Sequence, residues 1–229
     1  MLAVARPDRL VLVVGTGTEV GKTWVSARLV ATLRAANVSV AARKLAQSFE
    51  PDDDPADLDS AVLAAASGEA TEVVCPPHRC YEVAMAPPMA AELLGRPGFG
   101  VADLIAELAW GAKRVEVGLV ESAGGVRSPQ ADDGDAVDLA RSLNPDVVIL
   151  VAPAGLGTIN SVRLCMDALA EIAPTTQIAV VLNRFDATND LHRRNGDWLA
   201  RHDGYRVVTV PGEEAVLAAI VRGPAGDSS

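Results

Sequence analysis

Short β-branched apolar runs alternate with amphipathic stretches along almost the whole chain. Runs at residues 10–14, 38–43, 115–120, 147–152, 178–182 and 206–210 read as strands. Most are apolar at consecutive positions, which suits central strands of a parallel sheet covered on both faces. Residues 22–36 place Val25, Leu29, Val30 and Leu33 on one helical face. Residues 158–172 do the same with Ile159, Val162, Leu164, Met166 and Leu169, until Pro174 stops the pattern. Further helices are expected at 58–66, 86–94, 102–112, 135–143, 191–201 and 213–221. The alternation predicts a single α/β domain over residues 1–222, a doubly wound, mostly parallel sheet with helices on both faces. The tail 223–229, Gly-Pro-Ala-Gly-Asp-Ser-Ser, has no large apolar side chain to anchor it and is expected to fray.

Composition narrows the classes. With 229 residues, 49% of them apolar, the chain is long enough to bury a substantial core. No apolar run approaches the roughly 20 residues that span a bilayer. Arg6, Asp8 and Arg9 ahead of the first strand do not form a secretory signal, so a cytoplasmic location is expected. Cys75, Cys80 and Cys165 are too few for a disulfide scaffold, and reduced thiols are expected. The net charge of -10 repels nucleic acid and anionic membrane at long range, so neither is an expected partner and any phosphate contact must be local. Two acidic stretches, 50–59 and 132–138, read as solvated loops or as metal ligands at strand ends.

The first strand runs into Gly15-Thr16-Gly17-Thr18-Glu19-Val20-Gly21-Lys22-Thr23, where a helix begins. Such a loop turns backbone N–H groups toward a triphosphate, while the lysine neutralises charge and the Thr23 hydroxyl is free for Mg²⁺. The usual G-x-x-x-x-G-K-[ST] spacing would put glycine at 16; here it stands at 15, so the loop is one residue longer. A rival reading takes Gly15, Gly17 and Gly21 as a dinucleotide fingerprint. That reading expects an acidic residue at the end of the second strand, where this chain has Arg43-Lys44. In a third, the glycines only make a tight turn.

In an open parallel sheet the site forms at the carboxyl ends of the strands. Those ends bring Lys44 and Ser48, then Glu121-Ser122-Ala123-Gly124-Gly125, residues 153–160, Asn183-Arg184, and Pro211-Gly212-Glu213. Lys44 would be a second cation for a transferring phosphoryl group, or an ordinary surface lysine. Glu121, after four apolar or glycine residues, favours a metal role. Asp59 is either a ligand or a helix N-cap. Cys75-Pro-Pro-His78-Arg-Cys80 resembles a metal cluster but lacks a fourth nearby ligand.

These residues resemble dethiobiotin synthetase, the ATP-dependent carboxylase of biotin synthesis. The resemblance runs in order through the long loop from Gly15 to Thr23, Lys44 to Ser48, Tyr81 to Pro88, Glu121-x-Ala123-Gly124-Gly125, Gly155-Leu156-Gly157-Thr158-Ile159-Asn160 and Asn183. It implies a homodimer that joins a diamine, 7,8-diaminopelargonate, to CO₂ with ATP and Mg²⁺. By the same resemblance Gly17, Thr18, Glu19, Val20, Gly21, Lys22 and Thr23 bind nucleotide, with Asn183, Pro211, Gly212 and Glu213 at the adenine. Thr18, Lys22, Lys44 and Ser48 surround the carbamate and γ-phosphate, and Thr23, Asp59 and Glu121 hold Mg²⁺. Ser48, Ser122, Gly157, Thr158, Asn160 and Asn195 are implied on the substrate side, with the helix from 157–160 crossing a dimer interface. The chain departs from the family at Phe49, where glycine is usual, at Ser122, also glycine in most members, and at Asn195, a carboxylate-contacting tyrosine in some. A paralogue with another substrate or none, and a partitioning-type ATPase, are the alternatives. The latter typically carries a lysine five residues before the loop lysine, where this chain has Gly17.

Overall fold

The computed structural model describes residues 6–111, 114–170, 172 and 175–223. The expected helix end at Ala112, the helix stop at Pro174 and the frayed tail beyond Gly223 lie outside the described residues. The strands are β1 (Arg9–Gly15), β2 (Val40–Lys44), β3 (Gln47–Ser48), β4 (Cys80–Tyr81), β5 (Val117–Glu121), β6 (Val147–Pro153), β7 (Gln177–Asn183) and β8 (Arg206–Val210). The helices are α1 (Lys22–Ala35), α2 (Asp59–Ser67), α3 (Thr71–Val74), α4 (Pro87–Leu93), α5 (Val101–Ala106), α6 (Ala136–Leu143), α7 (Thr158–Leu169), α8 (Asp190–Arg201) and α9 (Glu214–Arg222). Six strands form one parallel sheet in the order β2-β5-β1-β6-β7-β8, and β3 and β4 pair separately.

Side chains of a strand alternate between faces, and β1 divides the interior accordingly. Leu10, Leu12 and Val14 join one core with α6, α7 and Leu199 of α8. Val11 and Val13 join the other with Val25, Leu29, Val30 and Leu33 of α1 and Leu217, Ala218 and Val221 of α9. Both faces of the sheet are therefore dry, which explains why the strands carry so little polar alternation.

The register places the chemistry. Glu121 of β5 pairs with Lys44 of β2 on one side and Val13 of β1 on the other. Paired residues of parallel strands point to the same face, so Lys44 and Glu121 emerge together at the carboxyl edge under α1 and α2. Helix α1 follows its N-cap Gly21, whose φ of 89° is left-handed, and no side chain caps its first turn. Its leading N–H groups are left to meet an anion.

Two expectations shift. Helix α5 stops at Ala106 instead of running on. Beyond it, Glu107 is taken by Arg79 and His78, the Ala109 carbonyl by Arg43 Nε, and Trp110 packs under the Arg43 guanidinium. These tertiary contacts outweigh the helical pattern. The acidic stretch 132–138 serves structure: Asp132 and Asp133 accept from Phe99 and Val101 N–H, and Asp135 with Asp138 forms the capping box of α6. The short α3 and the β3–β4 ladder carry too few residues for periodicity to reveal.

Candidate active site

The phosphate loop bends back over the sheet edge with little room for side chains. A Cβ on Gly21 would lie 2.0 Å from Asn183 Nδ2, and Asn183 donates to the Val20 carbonyl at 3.0 Å. Arg184 Nη2 donates to the Glu19 carbonyl at 3.1 Å. Thus β7 braces the loop from one side. The Gly124-Gly125 segment closes it from the other: a Cβ on Gly125 would meet Gly17 Cα at 3.4 Å, and one on Gly124 would meet Thr18 Oγ1 at 3.9 Å. That segment is itself held by Gln130, whose side chain accepts from Ala123 N–H and donates to the Ala123 and Ser128 carbonyls. Lys22 Nζ curls back to the Gly17 carbonyl at 3.2 Å.

At the base of the loop five charged or hydroxylic side chains converge. Lys44 Nζ lies 2.6 Å from Asp59 Oδ2 and 2.9 Å from Glu121 Oε1. Thr23 Oγ1 sits 2.5 Å from Asp59 Oδ1 and 2.8 Å from Glu121 Oε1. Ser26, one turn along the same face of α1, donates to Glu121 Oε2 at 2.7 Å. Glu121 is fully buried and Lys44 nearly so. Burial alone would lower the Lys44 ammonium, but Glu121 and Asp59 outweigh it and raise its pKa above the ordinary lysine value. Burial would raise the Asp59 carboxyl, yet the charge and hydrogen bond of Lys44 hold it below the usual range. Lys22 has no such direct partner, and burial followed by repulsion from Lys44 brings it down to about 8.

Position decides between the alternatives at Lys44 and Asp59. Lys44 is no surface lysine. Leu58, not Asp59, is the N-cap of α2, and the Asp59 side chain turns to Thr23 and Lys44 instead. The second strand ends in a lysine committed to two carboxylates, which leaves no ribose-binding acid there. The donor set of Thr23, Asp59 and Glu121 is all oxygen and fits Mg²⁺, which takes one or two carboxylates and otherwise phosphate and water. Among the described residues no group of three His, Cys, Asp or Glu side chains is placed to hold a metal. A cation here would thus share its shell with Thr23 and phosphate, and Cys75, His78 and Cys80 do not form a zinc site.

The remaining expected residues fall into two groups. Ser122 and Thr158 are buried, and among the described residues theirs are the two buried hydroxyls with no hydrogen-bond partner. Buried hydroxyls are nearly always satisfied, so a polar ligand is the natural complement. Thr158 opens α7 after Gly157, whose φ is 87°, with Asn160 exposed in the first turn. Other residues are already engaged. Ser48 Oγ donates to the Met85 carbonyl, and Glu213 accepts from Thr209 N–H and hydroxyl, shaping the Pro211-Gly212 turn. Asn195 differs from expectation: its Nδ2 donates to the Ala154 and Gly155 carbonyls, both at 2.9 Å. With both N–H bonds spent, the remaining carbonyl oxygen cannot donate to a substrate carboxylate, so Asn195 is a positioning residue of the β6–α7 loop.

Sequence reasoning missed Ser26, Gln47 and Gln130. Ser26 was detectable as the residue one helical turn from Thr23. The two glutamines lie in loops or short strands where no periodicity marks them.

A family model described as an AAA domain matches residues 9–219. An ATP-dependent dethiobiotin synthetase BioD of Anaeromyxobacter sp. is 39% identical over 184 residues, 80% of this chain and 79% of its own. The protein of the same name from Haloferax mediterranei is 36% identical, covering 87% and 82%, and that of Rhodococcus jostii 33%, covering 96% and 93%. A plasmid partition protein of Borrelia burgdorferi superposes with a TM-score of 0.53 at 13% identity over 89% of each chain, a likeness of fold alone. Among the described residues no helix is long and apolar enough to cross a membrane. Relatedness of this degree along most of each chain places the protein in the ATP-dependent dethiobiotin synthetase family, ligases that form carbon–nitrogen bonds.

Proposed function

We propose that the chain carboxylates 7,8-diaminopelargonate with CO₂ and closes the ureido ring by way of a carbamic–phosphoric anhydride. The observation that carries this reading is the Lys44–Asp59–Glu121–Thr23 cluster beneath the phosphate loop. One amine of the diamine first takes up CO₂ as a carbamate. A carbamate oxygen attacks the γ-phosphorus and displaces ADP, and the second amine then attacks the carbonyl carbon of the anhydride, gives up a proton and displaces phosphate to close the ring. Lys22, Thr18 and the loop N–H groups orient the triphosphate. Lys44, drawn toward the new anion, offsets charge that spreads over the phosphoryl oxygens in the transition state.

Thr23, Asp59 and Glu121 would hold Mg²⁺, which would neutralise charge on the β- and γ-phosphates. Asn183 fixes the loop, and the Pro211-Gly212-Glu213 turn, beside it in the β7–β8 register, would bound the adenine. On the substrate side, the unpartnered hydroxyls of Ser122 and Thr158 are suited to polar groups of the diamine. The N-terminal turn of α7, with Gly157 and Asn160, would meet its carboxylate. Leu156 is 90% exposed and Leu164 63%. Such exposure of large apolar side chains at and along α7 supports a homodimer joined there. Purified protein given ATP, Mg²⁺, bicarbonate and diaminopelargonate should release phosphate in proportion to dethiobiotin formed. Phosphate release that ignores the diamine would sink the reading.

A further inference from the structure

The Cys75-Pro-Pro-His78-Arg-Cys80 segment takes no part in that chemistry. His78 turns outward to Glu107 at 3.1 Å, but the two sulfurs turn toward each other. Cys80 Sγ lies 3.6 Å from Cys75 Sγ, and a 3₁₀ turn over Pro77–Arg79 folds the chain back between them. A disulfide needs about 2 Å between sulfurs, so a small approach across one turn closes the bond. Cys75 is buried and Cys80 partly exposed, which separates their reactivity. The hydrogen bond with Cys75, helped by Gln47 and by the charge of Arg96, draws the Cys80 thiol down to about 7. The same bond, together with burial, holds the Cys75 thiol up. An exposed thiolate beside a shielded thiol is the arrangement of an attacking and a resolving cysteine.

We propose that Cys75 and Cys80 are an oxidisable dithiol that closes to a reversible intramolecular disulfide, and that closure slows the synthetase reaction. The oxidant is a peroxide. The Cys80 thiolate attacks one peroxide oxygen and displaces the other as hydroxide or alkoxide, which leaves a sulfenic acid. The Cys75 sulfur then attacks the Cys80 sulfur and expels its oxygen as water. Two electrons pass from the sulfurs to the peroxide, and a thiol reductant returns them.

Coupling to the active site runs through Gln47. Its Nε2 donates to Cys80 Sγ at 3.3 Å and to Ser60 Oγ at 2.8 Å, while its Oε1 accepts from Ser60 N–H at 3.0 Å. Ser60 follows Asp59, the partner of Lys44, and Gln47 precedes Ser48 in the strand that pairs with Cys80 and Tyr81. A disulfide sulfur is a weaker acceptor than a thiolate, so oxidation loosens the bracket between β3 and the start of α2. This coupling rests on the proposed roles of Lys44 and Ser48; the sulfur chemistry does not.

The test treats the full-length protein with hydrogen peroxide, alkylates the free thiols and digests with trypsin, which cuts after Arg79 between the two cysteines. The expected result is one alkylatable thiol in place of three, a loss of two hydrogens in mass, and a linked pair of peptides that dithiothreitol separates. Cys75→Ser should stop at a sulfenic acid on Cys80 that dimedone traps, and Cys80→Ser should leave Cys75 unreactive. Turnover should fall at least threefold on oxidation, recover with reductant, and become insensitive to peroxide in Cys80→Ser. Three thiols still alkylatable after peroxide, or a link through Cys165, would overturn the disulfide. A stoichiometric Cys75–Cys80 disulfide with unchanged turnover would overturn the coupling. Absence of diamine-dependent turnover before oxidation counts against the proposed reaction and leaves the thiol readouts standing.

Discussion

The polar residues around the ends of β1, β2 and β5 and those around the ends of β6, β7 and β8 are differently employed. In the first group Lys44, Asp59, Glu121, Thr23 and Ser26 bond to one another's side chains. In the second, Asn183 and Asn195 bond to backbone carbonyls, and Glu213 to a neighbouring backbone N–H and hydroxyl. A side chain paired with another side chain can exchange that partner for phosphate or metal when a ligand arrives. One that holds the backbone cannot let go without deforming a loop. The first group is therefore suited to chemistry, the second to shaping the walls that bind.

Breaking the first group should have the largest effect. Lys44→Ala leaves Glu121 buried with two hydroxyl donors and no adjacent cation. Loss of one partner of a buried pair costs about 3–5 kcal/mol, visible as a lower denaturation midpoint, and turnover should fall on the order of 10³-fold. Lys44→Met combined with Glu121→Gln separates the two losses: stability should return in large part while turnover stays low. Activity that survives Lys44→Ala would remove Lys44 from phosphoryl transfer altogether.

Glu121→Gln keeps shape and removes one negative charge. Turnover should drop on the order of 10²-fold, and the Mg²⁺ concentration for half-maximal rate should rise. A chelator should abolish the wild-type rate and excess Mg²⁺ restore it. An unchanged Mg²⁺ dependence in the variant would take Glu121 out of the metal shell.

The seam between the groups is Gly21, held at a φ of 89° against Asn183. Gly21→Ala imposes a left-handed alanine, roughly 1–3 kcal/mol, and pushes Asn183 off the Val20 carbonyl. ATP affinity measured by calorimetry should weaken at least tenfold. In the second group proper, Asn195→Ala frees two carbonyls of the β6–α7 loop at about 1 kcal/mol. KM for the diamine should rise about fivefold with kcat nearly unchanged; a collapse of kcat instead would mean that Asn195 acts on the reacting atoms.

Much of the fold and part of the site are legible in the sequence, for physical reasons. A doubly wound sheet shows itself because helices cover both of its faces, so its six strands appear as β-branched apolar runs. Lys44, Glu121 and Asn183 follow from the rule that strand ends converge at the site. What stayed hidden depends on register and rotamer. Nothing in the linear order says that Lys44 and Glu121 are paired neighbours, that Leu58 releases Asp59 from capping, or that the Asn195 amide is spent on two carbonyls. The early end of α5 was equally invisible, because Arg43 and Arg79 override its pattern from distant positions.

The smallest expected effect comes from Lys22, whose charge is held down by burial and by Lys44 at the border of the two groups. A lysine lowered to about 8 is charged at pH 7 and mostly neutral at pH 9. For the unliganded fold, the sign is set by the unfolded chain, which keeps its lysine proton to about 10.5. Between 8 and that value the unfolded state binds more protons than the folded one, so this group's contribution to stability rises with pH. Nucleotide binding runs the other way. A triphosphate stabilises the charged lysine, so affinity should fall about threefold from pH 7.5 to 8.5, and binding above pH 8 should draw in a proton. Calorimetry of ATP binding at pH 8.5 in two buffers of different ionisation enthalpy measures that uptake directly. Equal heats in the two buffers would show that Lys22 is already fully charged, and that Lys44 is too well neutralised by Asp59 and Glu121 to depress it.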